Sequence, residues 1–325
     1  DSDTTITSSL DNHEDTDTSN AERFSNEYFR LNLNLAHVAI MLHSFDLAKQ
    51  QLEDIRELYA GVTSVDQLDA CCIFLKYHAY GYEIDLGFDL LITTQRLTNR
   101  LPRELHLKGE VAIAGYHYFK GDIPAMKKVL QRTNRLISRT MPDLSEIITI
   151  IAEQNYYLAI MHRELKQFDE AFKKLNIASD QYARLNNPVQ NMLIHFETAT
   201  IFHYLKQNKK ALQWVNLAFN NFESLKEKQD HHQAMLNHGK GMILLSLEIY
   251  DEALPLLRQA LLVWKEQKHA YNIVAATNDV GATLNALERP EEALDYFERA
   301  KALCDPMKDR GYVQELLKQI DNNIA

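Results

Sequence analysis

Three histidines, His231, His232 and His238, form the group whose residue type most readily suggests metal chemistry. A zinc site on a helix needs ligands that converge on one point, commonly at positions i and i+4. The separations here are 1, 6 and 7 residues, and His195, Glu197 and His203 do not form an HExxH pattern either. We therefore expect no metal ion and no cofactor, and the stretch 230–238 is predicted to be a solvated linker and helix start.

The sequence gives equally little support for a reactive thiol, a phosphate-binding loop or a serine nucleophile. The pair Cys71-Cys72 lies in an apolar segment without the neighbouring cation that would activate a thiol. The segment Gly239-Lys240-Gly241 lacks the spacing of a phosphate-binding loop, and no GxSxG motif occurs. An enzyme would have to use groove histidines at 37, 203 and 238, and these would have to converge. The sequence favours a protein that is not an enzyme.

Charge and composition exclude further classes. The net charge is −10, and six of the acidic residues fall in the first twenty positions, where no Lys or Arg occurs. The remaining chain is mildly acidic, so no positive field is present to hold DNA or RNA. No apolar run reaches the roughly 18 residues that span a bilayer. Residues 1–21, rich in Ser, Thr and Asp, are predicted to be a disordered acidic leader or interdomain linker.

The three cysteines do not form a disulfide framework, which favours a reducing compartment. We expect a cytoplasmic protein, with an exported or periplasmic sensor region as the alternative. The sequence begins with Asp1 and not Met, so a targeting segment or a further domain could have been removed.

Four segments repeat the same arrangement of a small residue, a large apolar residue four positions later and an alanine three positions after that. These triples are Ala171/Leu175/Ala178, Ala211/Val215/Ala218, Ala253/Leu257/Ala260 and Ala293/Phe297/Ala300. A second small residue lies twelve positions before each triple, at Ala159, Ala199, Gly241 and Gly281. Small side chains at these sites would let two antiparallel helices cross closely. Weaker units place Ala48, Gly87 and Met126 at the equivalent site.

This pattern resembles the tetratricopeptide repeat (TPR), lengthened to about 40 residues as in bacterial sensory and regulatory TPR proteins. The resemblance implies an all-α fold, a right-handed α-solenoid of about seven helical hairpins over residues 22–310. Residues 311–325 would form a C-terminal capping helix.

The same resemblance places a set of side chains on the concave surface, where TPR proteins bind peptides or partner proteins. The predicted groove residues are Asn34, His37, Lys76, Lys108, Tyr118, Tyr156, Tyr157, Arg163, Phe196, His203, His238 and Asn278. Aromatic residues beside Arg163 in the central part resemble the anchors that concentrate binding energy, although aromatics at helical spacing also serve as core.

We therefore expect a non-catalytic TPR scaffold that binds a protein or peptide, as the sensory or interaction region of a larger signalling or regulatory protein. The alternatives are a peptide-sensing transcriptional regulator without its DNA-binding part, and a structural assembly subunit that forms a homodimer.

Overall fold

The computed structural model describes residues 11–41, 45–80, 87–120, 122–137, 145–185, 188–226, 228, 230–267, 270–305 and 311–324. These ranges contain α-helices, one short 3-10 helix (Tyr59–Gly61) and no strand. The helices are α1 (Asp11–Met41), α2 (Phe45–Asp54), α3 (Ser64–Tyr80), α4 (Phe88–Arg100), α5 (Arg103–Phe119), α6 (Ile123–Ile137), α7 (Ser145–Glu164), α8 (Phe168–Arg184), α9 (Pro188–Tyr204), α10 (Asn208–Glu223), α11 (Asp230–Ser246), α12 (Tyr250–Glu266), α13 (Ala270–Ala286), α14 (Pro290–Cys304) and α15 (Gly311–Ile324).

Successive helices pair as hairpins, and each hairpin stacks on the next. The pairs run from α1 with α2 to α13 with α14, and α15 packs on the last pair. Over the described ranges the fold is therefore an α-solenoid of seven hairpins with a terminal helix, which confirms the predicted fold class.

The small residues of the repeat lie at the helix crossings. Ala171, Ala211, Ala253 and Ala293 are at most 1% exposed. A Cβ atom added to Gly241 would lie 2.7 Å from the Leu257 Cγ, and one added to Gly281 would lie 2.7 Å from the Phe297 ring. These contacts join the first helix of a hairpin to the large apolar residue of the second, as the repeat register requires.

A left-handed residue ends the first helix of each of the last four hairpins. Lys166, Lys206, Glu248 and Glu288 have φ angles between 56° and 62°. The N–H of the following residue donates back to the carbonyl five positions earlier, as from Gln167 to His162 and from Gln207 to Phe202. This helix-ending motif satisfies carbonyls that would otherwise lack a donor. It gives four hairpins the same tight turn and so keeps their first helices on one side of the solenoid.

The two ends of the solenoid differ from each other. At the C-terminal end, α15 buries Val313, Leu316 and Ile320 against the last hairpin. At the other end, α1 begins at Asp11, inside the segment for which the sequence predicts disorder, and residues 1–10 lie outside the described residues. None of the described helices has the length and apolarity that a bilayer crossing requires.

Candidate functional site

A cavity of about 680 Å³ lies along the first helices of the central and C-terminal hairpins. We call it the central groove, and most of its lining comes from α7, α9, α11 and α13. These are the helices for which the repeat register predicts inward-facing side chains. Single residues of α1, α5 and α12 and two of α15 complete the wall.

Aromatic side chains form much of this wall. The rings of Tyr118 and Tyr156 lie 6.4 Å and 6.1 Å from that of Tyr157. Tyr204 stacks on Phe168 with the ring centroids 6.4 Å apart. A Cβ atom at Gly239 would lie 2.5 Å from the Phe196 ring, so the missing side chain lets that ring lie against α11.

An ion pair between two neighbouring repeats also lies in the wall of the central groove. Arg163 Nη1 lies 3.3 Å from Glu197 Oε2, and Arg163 Nη2 lies 2.9 Å from Glu164 Oε1. The side chains of Arg163 and Glu197 are each 10% exposed. The Arg163 Cζ also lies 6.0 Å from the centre of the Tyr204 ring.

Burial and the mutual attraction of the two charges shift the pKa values of Arg163 and Glu197. Burial lowers the pKa of Arg163, but the Glu197 carboxylate and its neighbours outweigh that effect and raise it. The pKa of Glu197 is raised by burial, while Arg163 opposes the shift. Arg163 therefore stays charged, and its Nε has no hydrogen-bond partner among the described residues.

A second polar cluster connects the groove to the terminal helix. His238 Nε2 lies 2.8 Å from Asp279 Oδ2, and Asn278 Nδ2 donates to Asp279 Oδ1 over 3.3 Å. Asn323 of α15 donates to Asn278 Oδ1 over 3.0 Å. His203 is bonded to Asn208 at 3.0 Å, and burial lowers its pKa.

Seven of the twelve predicted groove residues line the central groove. They are Tyr118, Tyr156, Tyr157, Arg163, Phe196, His203 and His238. Asn278 does not line it, because this side chain is 4% exposed and bonded to α15.

The other four predicted residues belong to the first three hairpins. Lys76 Nζ lies 3.0 Å from Glu153 Oε1, and Lys108 Nζ lies 2.6 Å from Asp69 Oδ1. The pKa of His37 is lowered by burial and by the charges of Lys76 and Lys108. Asn34 is exposed on α1. His37 is not among the residues that line the central groove, whereas His203 and His238 are.

Several lining residues are absent from the predicted set. Trp264 ends α12, Tyr271 begins α13, and His231 and His232 begin α11. Helix ends fall outside the inward positions of the repeat register, so the sequence carried no signal for them. The expectation of a solvated linker is wrong for His232, which is 7% exposed and has its pKa lowered to about 4 by burial. The described residues contain no group of three ligating side chains that could hold a metal ion.

Comparison with known families identifies the repeat. Residues 232–305 match the family model described as Tetratricopeptide repeat. This part of the chain therefore consists of tetratricopeptide repeats. The matched region includes α12, α13 and α14 together with most of α11, where the TPR spacing of small residues is most regular. No curated protein sequence matches the chain.

Solved TPR-like structures resemble almost the whole chain in fold. The Rap protein complexed with Competence and Sporulation Factor has a TM-score of 0.69 at 14% identity, covering 90% of this chain and 80% of that one. NprR in complex with its cognate peptide NprX has a TM-score of 0.64 at 15% identity, covering 90% and 81%. A signal transduction ATPase with a tetratricopeptide repeat sensor, from Pyrococcus horikoshii, has a TM-score of 0.56 at 14% identity, covering 86% and 43%. At these identities the likeness concerns the fold alone.

Proposed function

We propose that this TPR chain is a non-catalytic scaffold whose central groove binds a short, extended segment of a peptide or protein. The observation that carries the proposal is the groove of about 680 Å³, walled by aromatic rings from successive hairpins. Pockets of roughly 300–1,000 Å³ enclose most of the surface of a small ligand.

The size of the groove favours a few residues over a long partner helix. One turn of an α-helix with its side chains occupies about 500 Å³, from a diameter of about 10–12 Å and a pitch of about 5.4 Å. The central groove therefore holds little more than one helical turn. A short extended segment fits the same space and exposes its backbone to the walls.

The polar side chains of the groove suit such a backbone. Gln190, Asn272 and Gln319 line it from α9, α13 and α15. A carboxamide both donates and accepts hydrogen bonds, so it can pair with a peptide N–H or C=O. Aromatic rings nearby would supply most of the binding energy, because rigid rings lose little conformational entropy on binding.

Fold relatives support a role in signalling. The Rap protein was solved with Competence and Sporulation Factor, and NprR with its cognate peptide NprX. We infer that this chain is likewise the sensory or interaction region of a larger signalling or regulatory protein. A peptide-sensing transcriptional regulator that lacks its DNA-binding part is the narrower alternative. The three cysteines are free and buried, which supports a reducing compartment such as the cytoplasm over an exported location.

The test begins by selecting ligands from a random heptapeptide phage library on the purified chain. A fluorescein-labelled selected peptide is then titrated by anisotropy against the wild type and Tyr204→Ala. Tyr204 is half exposed in the groove, so its loss removes a contact surface without opening the core. We expect about tenfold weaker binding, the typical effect of losing an aromatic anchor.

Leu262→Ala is the control, since this leucine is 59% exposed on α12, away from the groove lining and from α1. Its affinity should equal that of the wild type. Equal affinities for all three proteins would show that the peptide binds elsewhere. Mass spectrometry after incubation should recover the peptide intact, and cleavage or modification would contradict the non-catalytic assignment.

A further inference from the structure

Helix α1 carries a stripe of exposed apolar side chains along one face. Phe24, Tyr28, Leu31, Leu35 and Val38 are 69%, 40%, 58%, 47% and 55% exposed. Their spacing alternates between four and three residues. This is the heptad spacing of a coiled-coil seam, in which positions a and d face a partner helix.

The place of α1 in the solenoid makes this stripe unusual. A terminal repeat normally presents a polar outer face, because no further repeat covers it. At the C-terminal end that condition is met by α15, which buries its own Val313, Leu316 and Ile320. At the N-terminal end the first helix buries Phe29, Leu33 and Ala36 on one side and leaves the heptad stripe in solvent on the other. Five large apolar residues in register on one exposed face indicate an interaction surface.

We propose that α1 forms an antiparallel coiled coil with α1 of a second copy of this chain. The stripe is compatible with a two-fold axis, as such an interface requires. With that axis between Tyr28 and Leu31, Tyr28 of each copy faces Leu31 of the other, and Phe24 faces Leu35. The layers formed by these four residues each combine an aromatic ring with a leucine, whereas Val38 lies beyond them and has no partner within the stripe.

Charge selects the antiparallel orientation. Residues 11–22 contain five acidic residues and no Lys or Arg. Parallel helices would place these two segments side by side, and like charges at that distance repel. The antiparallel register separates these acidic segments. It also places Glu27 of each copy close to the level of Arg30 in the other, because their heights along the helix axis differ by about 3 Å at a rise of about 1.5 Å per residue. Arg30 is 59% exposed although it pairs with Asp66 at 2.9 Å, so its outer face is open to this contact.

The surface area that the stripe would bury predicts the affinity of the dimer. From their exposed fractions, the five side chains of both copies would together bury roughly 1,000 Å², near the lower limit for a specific interface. We therefore expect a concentration-dependent dimer with a dissociation constant on the order of micromolar, and not an obligate dimer.

Sedimentation velocity over roughly 1–100 µM of the intact chain tests the proposal, a range centred on the expected micromolar dissociation constant. The mass should rise toward twice that of one chain. Leu31→Glu should weaken association at least about tenfold, because it places a carboxylate in the centre of the seam. Leu262→Glu is the matched control, since Leu262 is 59% exposed on α12, outside the stripe. A wild type that stays monomeric, or a control that dissociates as readily as Leu31→Glu, would overturn the proposal.

Cysteine cross-linking tests the register. The native cysteines are all buried, so introduced thiols on α1 are the accessible ones. The double variant Phe24→Cys/Leu35→Cys should form disulfide-linked dimers under mild oxidation, whereas Phe24→Cys alone should not. Equal cross-linking of the single variant would indicate parallel helices and overturn the proposal. Unchanged circular dichroism would confirm that these exposed substitutions leave the fold intact, and the peptide titration of the central groove is independent of either result.

Discussion

Arg163 and Glu197 form a charged pair that the fold must keep together. Both side chains are 10% exposed, and the second carboxylate near Arg163, that of Glu164, is 36% exposed. Removing one partner of a buried pair leaves the other charge without compensation. We expect Arg163→Met to lower the free energy of unfolding by about 3 kcal/mol, measured by urea denaturation.

A double variant separates the loss of the pair from the loss of packing. Arg163→Met combined with Glu197→Leu removes both buried charges and replaces them with apolar volume. Apolar replacement of a complete buried pair is often neutral, so the double variant should regain most of the stability. Losses that simply add would show that the two residues act independently.

His232 makes the stability of the chain depend on pH. Burial lowers its pKa from 6.5 to about 4, so the folded state resists a proton that the unfolded state accepts. Above pH 6.5 the imidazole is neutral in both states and His232 costs no stability on this account. As the pH falls toward 4, the unfolded chain takes up the proton first and the free energy of unfolding decreases. Between pH 7 and pH 5 the loss is about 2 kcal/mol. His232→Leu should reduce the pH dependence of the unfolding free energy over this interval, and an unchanged slope would contradict the assignment.

The sequence could predict part of the groove because the repeat register fixes the direction of side chains on the first helices. Tyr156, Phe196 and His203 follow from that register alone. It could not predict that Lys76 pairs with Glu153, which lies two hairpins further along the chain. Partners that far apart meet only through the curvature of the solenoid. The same reason explains why the sequence wrongly placed Asn278 in the groove, since its hydrogen-bond partner belongs to α15.

At the scale of the helix pair, close crossings depend on the absence of a side chain. Gly241 lies inside α11, where alanine would normally improve helix stability by about 1 kcal/mol. Its Cβ, however, would lie 2.7 Å from Leu257 Cγ, the branch point of a buried side chain with little freedom to move. We expect Gly241→Ala to destabilise the protein by about 1–2 kcal/mol in thermal or urea unfolding, since overpacking outweighs the helix preference.

Gly61→Ala is the control for that substitution. An added Cβ at Gly61 meets nothing within 4 Å. Alanine there should be neutral or stabilising by up to about 1 kcal/mol, through a less flexible unfolded chain. If both substitutions had the same effect, the crossing at Gly241 would not be as tight as the 2.7 Å separation from Leu257 indicates.

The hairpins themselves were predictable because each needs small residues at its crossing. Met126 shows the limit of that rule, for it is fully buried at the site where the later repeats have alanine. Ala114 of the neighbouring helix α5 is in the same core cluster, so the pair as a whole still contains one small member. The start of α1 was not predictable, because its first two turns contain no apolar residue whose period could reveal a helix.

At the scale of the whole molecule, stability is close to a sum over neighbouring repeats. Most helix contacts of a hairpin are with its neighbours, and longer-range pairs such as Lys76 with Glu153 are the exception. A change at the C-terminal end should therefore have little effect on the central hairpins. The terminal helix α15 is bound by the core residues Val313, Leu316 and Ile320 and by the bond from Asn323 to Asn278. Asn278 in turn contacts Asp279 in the wall of the central groove.

Removal of residues 311–325 therefore has a localised expected effect. The exposed core of the last hairpin should open more often, and amide hydrogen exchange in α13 and α14 should accelerate at least about tenfold, whereas α7 to α10 should keep their protection. Exchange measured by mass spectrometry resolves these helices separately. A milder variant, Ile320→Ala, should shift the same peptides in the same direction, since it removes part of the same contact. Uniform acceleration along the chain would instead show that the solenoid unfolds as one cooperative unit, with α15 stabilising every repeat equally.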